Sequence, residues 1–73
     1  MISDVTVARE MSDLMLEMGA KLARSLEDVR AKCPEEEFLA YRDGASRILT
    51  DMLIYVMNPL YHQHPSLEPS ELE

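Results

Sequence analysis

Residues 32–37, Lys32-Cys33-Pro34-Glu35-Glu36-Glu37, decide how this chain folds. Proline is welcome at the first position of a helix, where its missing N–H costs nothing. Three glutamates in the following turn match the positive end of a helix. The hexapeptide therefore reads as the start of a helix at Pro34, with Cys33 at or just before its cap.

Upstream, Ala8, Met11, Met15, Met18, Leu22 and Val29 recur in steps of three and four, with Ser25 filling the expected place between the last two. Leu14 and Leu26 widen this stripe. That is helical periodicity, and it predicts a helix over about 3–32. Ser3 or Asp4 can cap it, and Ile2 is placed to staple onto Val7. Downstream, Phe38, Tyr41, Ala45, Ile48, Met52 and Tyr55 form a second stripe, with Leu49, Leu53 and Val56 beside it. They predict a helix over 34–57, ended by Asn58-Pro59 because a residue before proline avoids the helical region. Glu17–Lys21, Asp28–Lys32 and Asp43–Arg47 stand four apart with the acid first, which marks solvent-facing sides.

A connection of one or two residues turns the second helix back on the first. The expected fold is thus all-α: an antiparallel two-helix hairpin over 1–57, followed by an extended, proline-containing tail over 58–73. Leu60, Tyr61, Leu67 and Leu72 are the tail's apolar anchors, and a short turn or helical piece is possible after Pro69. With the turn at 32–33, facing positions add to about 65. Gly19-Ala20 then lies opposite Gly44-Ala45. This is either a close backbone crossing or two tolerated interior glycines.

Met52-Leu53-Ile54-Tyr55-Val56-Met57 is apolar on nearly every side, which reads as a buried helix, with a short buried strand as the alternative. One hairpin cannot hide this end. A second copy would complete a dimeric four-helix bundle by two-fold symmetry. A different helical protein is the other candidate cover, and the tail folding back is a third. The expected contact residues are Met11, Met15, Met18, Met52, Tyr55 and Val56. Flexible thioethers suit both adaptable binding surfaces and ordinary core filling.

The chain has 73 residues, 14 acidic and 7 basic, for a net charge of −7. Residues 1–33 are near neutral and 34–73 carry the excess acid. Such a chain lacks the basic footprint of a nucleic-acid binder and would be repelled by anionic membranes. It suits solubility, or inhibition of a basic partner. The start Met1-Ile2-Ser3-Asp4 has no basic, apolar secretory pattern, and no stretch is long and apolar enough to span a bilayer, so a cytoplasmic location is expected.

Catalytic constellations are missing from the pattern. Cys33 stands alone, without a base near it in sequence. His62-Gln63-His64 offers two ligands where zinc needs three or four. No enzyme activity, cofactor or metal is expected, and the functional expectation is protein–protein association.

Two resemblances accompany this reading. The turn Cys33-Pro34-Glu35 followed by an aromatic-containing helix resembles the small hairpin components of type III secretion chaperone complexes. Those pair with a larger chaperone to guard a needle subunit, which implies a heteromeric chaperone or adaptor subunit. The segment Met57-Asn58-Pro59-Leu60-Tyr61 is similar to the end of the Hha-type nucleoid-modulator family, over five residues. Neither resemblance assigns site residues here.

Overall fold

A computed structural model of the chain describes residues 1–69. Two long helices form the expected hairpin: α1 spans Val5–Lys32 and α2 spans Glu35–Met52. The molecule is a rod of 45 × 20 × 16 Å. Its length follows from the 28 residues of α1 at about 1.5 Å per residue.

The ends of the helices have local causes. Asp4 is the N-cap of α1: its carboxylate accepts the N–H of Thr6 at 2.8 Å and of Val7 at 3.1 Å. The fourth helical residue is then Ala8. With Asp4 as the cap, the staple positions fall on Ser3 and Ala8 rather than on Ile2 and Val7. Cys33 closes α1, its N–H bonding the Val29 carbonyl. Pro34 is the N-cap of α2, one place earlier than its expected role, and its carbonyl accepts the N–H groups of Glu37 and Phe38. The three acid-first pairs are formed at 3.1, 2.7 and 3.3 Å, all well exposed. Exposed pairs of this kind contribute only a few tenths of a kcal/mol each, about 0.3–0.5.

The second helix does not stop at Met57, and the segment beyond it is not extended. The chain passes through one wide π turn, Leu53–Met57, and continues as α3, Asn58–Gln63. Asn58 keeps helical angles (φ −61, ψ −48) although proline follows it. The wide turn makes this possible. In a regular α-helix the Pro59 ring would meet the carbonyl four residues back. Here the Asn58 N–H reaches the Leu53 carbonyl, five residues back, so the register has already loosened before the ring arrives. A 3₁₀ turn, Pro65–Leu67, follows. Among the described residues there is no strand, so 52–57 is helical. Leu72 and the stretch after Pro69 lie outside the described residues.

Burial explains why α3 forms. Leu60 is fully buried and Tyr61 is 4% exposed; with Met57 they close over Ala8 and Ser12 near the start of α1. Tyr61 and Ser12 join their hydroxyls at 2.6 Å in this buried place. His64 Nε2 donates to the Ile2 carbonyl at 2.7 Å, since a carbonyl can only accept. The far end of the hairpin is therefore covered in part by the chain's own 57–64 segment. Toward the turn, Phe38 is buried, with the Arg30 guanidinium 4.7 Å and that of Arg42 5.8 Å from its ring centre. Ala45 fills the middle.

Candidate interaction surface

Each long helix buries the centre of its apolar stripe against the other and leaves the flanks outside. On one side of the rod, α1 presents Met18, Leu22 and Ser25, and α2 presents Tyr41, Ile48 and Met52. Together they line a shallow apolar groove, with Lys21 on its rim. Ile48 is 56% exposed and Met18 45%. Leu14 and Tyr55 carry the same face toward the open end, Tyr55 at 67% exposure. One polar element crosses the groove: Ser25 Oγ lies 2.6 Å from Tyr41 Oη and donates to the Leu22 carbonyl at 2.6 Å. Tyr41 therefore supplies that hydrogen to Ser25, and its own oxygen remains free to accept.

The opposite side has a second groove, lined by Met15, Leu16, Gly19, Ala20, Leu49, Met52, Leu53 and Met57. Its side chains are less open.

The six expected contact residues divide between these places. Met18 and Tyr55 are exposed on the first face. Met52 lines both grooves, half-buried. Met15 belongs to the second groove, and Met11 and Val56 are half-buried. Ile48, Leu14 and Tyr41 were missing from the expected set. The hairpin's own geometry picks them out: the middle of a stripe meets the partner helix, so a third helix can touch only its flanks.

The two interior glycines do not mark a close crossing of α1 and α2. A Cβ on Gly19 would make ordinary contact with Leu49 Cδ2 at 3.7 Å, and one on Gly44 would find nothing within 4 Å.

The remaining polar candidates are accounted for by local structure. His62 is exposed on α3, and His64 is engaged with Ile2, so the two rings do not share a side of an extended strand. Cys33 is a free, half-buried thiol beside Arg30, Glu35 and Arg42. Among the described residues no group of three or more His, Cys, Asp or Glu could hold a metal ion, and no helix is long and apolar enough to cross a membrane. The Lys32 pKa is raised from its ordinary 10.5, first by its hydrogen bond to Asp28 and then by the Asp28 charge.

Comparison with family models, with curated proteins and with solved structures finds no match to this chain.

Proposed function

We propose that this chain is a self-associating helical module that acts by protein–protein contact in the cytoplasm, without a catalytic centre. A second copy on the Met18–Ile48 face would complete a dimeric four-helix bundle. The observation that carries this reading is the open apolar groove with Ile48 and Tyr55 more than half exposed.

Surface area supports it. The chain exposes 5310 Å² for a mass of 8.4 kDa. A compact monomer of that mass exposes about 4,600 Å² by size scaling. The excess of about 700 Å² reflects the elongated rod, which leaves apolar side chains of both helices uncovered.

Light scattering tests the proposal directly. The expected mass is twice that of one chain, and the melting midpoint should rise with concentration. Ile48→Glu should return the mass to one chain with helicity kept, because Ile48 contributes little to the hairpin's own core. A compact monomer at every concentration, with a midpoint independent of concentration, overturns the reading. A chain that is loosely helical alone and binds apolar dyes would instead favour the heteromeric chaperone or adaptor subunit.

A further inference from the structure

We infer that Met18 makes this association sensitive to oxidation: a peroxide converts its thioether to the sulfoxide, and the oxidised chain no longer pairs. This rests on the self-association reading and adds the regulation of the same face.

The six methionines are not equally placed. Met57 is 6% exposed, and Met11, Met15 and Met52 are half-buried in the hairpin. Met1 and Met18 stand open, at 66% and 45%. Of these two, Met18 alone lines the groove, together with Leu22 and Ile48. Met18 is therefore the methionine that a peroxide reaches in the single chain and that a second copy covers in the pair.

The reaction needs only an accessible sulfur. A sulfur lone pair attacks one oxygen of hydrogen peroxide. The S–O bond forms as the O–O bond breaks, and the departing hydroxide takes the proton of the new S–OH and leaves as water. The sulfur is oxidised by two electrons and the peroxide is reduced by two. The product is polar where the thioether was apolar.

The groove has nothing prepared for that oxygen. Its two hydroxyl hydrogens are already placed, that of Tyr41 on Ser25 and that of Ser25 on the Leu22 carbonyl. The donors left on the face are Lys21, held at the rim by Glu17 at 3.1 Å, and Tyr55, toward the open end. In a single chain the sulfoxide oxygen is hydrated, so the hairpin loses little. In the pair it is pressed against apolar side chains, where an acceptor without a partner is costly. Each dimer carries that cost twice.

The same geometry protects the pair. A sulfur covered by a second copy is out of reach, so oxidation draws on the single chains present by mass action. An oxidised chain then stays single, and the two effects reinforce each other. A dithiol-dependent sulfoxide reductase reverses the step, the dithiol becoming a disulfide and the oxygen leaving as water. Cys33, the other kind of oxidisable sulfur, lies beside Arg30, Glu35 and Arg42 near the turn, outside the groove.

Graded hydrogen peroxide treatment of the full chain in a Cys33→Ser background tests this. Peptide mass spectrometry reads the oxidised positions, sedimentation reads the mass, and free N-acetylmethionine in the same tube is the reference. Met18 oxidation relative to that reference should fall as chain concentration rises through the dimer Kd. Chains oxidised at Met18 should dimerise with a Kd at least about tenfold higher, with helicity kept. Met18→Leu should dimerise and keep its mass at peroxide doses that separate chains carrying Met18.

Dimers that persist with Met18 oxidised overturn the inference. So does Met18 oxidation that is independent of chain concentration, loss of helicity when Met18 alone is oxidised, or equal peroxide sensitivity in Met18→Leu. If Met18→Leu does not dimerise, the oxidised and unoxidised forms of the parent chain carry the decision. A single-chain mass before any treatment overturns the self-association reading and this inference together. A dimeric mass that survives Met18 oxidation overturns this inference alone.

Discussion

Ser12 and Tyr61 show how much can hang on one hydroxyl pair. They are 49 positions apart, both buried, and bonded at 2.6 Å. Removing one partner leaves the other without its bond in a dry place, which costs about 1–3 kcal/mol. Tyr61→Phe is expected near the lower end, because the Ser12 hydroxyl can turn to a carbonyl of its own helix, as Ser25 does with Leu22. In urea titrations at fixed chain concentration, Tyr61→Phe with Ser12→Ala should cost clearly less than the two single losses added. Full additivity would mean that the two hydroxyls do not depend on each other. The pair was not legible in the sequence. Serine on a helix reads as a gap in the stripe, and its partner stood in a segment read as extended. Lys32 makes a smaller statement. Its pKa is raised by Asp28, so the stabilisation is present below the ordinary 10.5 and lost as pH climbs through the raised value. Lys32→Gln should therefore remove this small stabilisation evenly between pH 6 and 9, roughly, leaving the pH dependence of melting in that range unchanged.

At the scale of elements, the two long helices were legible and the third was not. Alternating three- and four-residue steps located α1 and α2, and Pro34 with its glutamates fixed the break between them. The pre-proline rule then misled at Asn58. It describes a local steric preference, and the burial of Met57, Leu60 and Tyr61 outweighs it once a π turn has relieved the clash. A signal for this was present: Met57, Leu60, Tyr61 and His64 continue in steps of three, one and three, as a helix face would. The energetic test is Leu60→Ala. Leu60 is fully buried, so the substitution should cost about 2–5 kcal/mol, a large part of what a small domain has. Urea titration measures it. A cost under about 1 kcal/mol would mean that α3 is not held by its core.

For the whole molecule, the question is what an elongated rod gains from leaving one face uncovered. The sequence already implied that a hairpin this size needs cover, and of the contacts it named Met18 and Tyr55 lie on the open face while Met11, Met15, Met52 and Val56 are half-buried. The flanks became visible only when α1 and α2 were set side by side, because the side of a stripe left outside depends on how the helices cross. Gly44 separates the demands of the single chain from those of the pair. In the single chain its surroundings are empty, so Gly44→Leu should stabilise α2 by about 1 kcal/mol through helix propensity alone. In the proposed pair, Gly44 lies one turn from Ile48 on the face a second copy covers, so a leucine there would hold the copies apart and association should weaken. The substitution is therefore expected to act with opposite signs in two backgrounds. Added to the Ile48→Glu chain it should raise the melting midpoint, and in the otherwise unaltered chain it should raise the Kd for dimerisation measured by sedimentation equilibrium. If Gly44→Leu stabilises both, no second copy approaches α2 at that level, and the interface must be placed elsewhere on the rod.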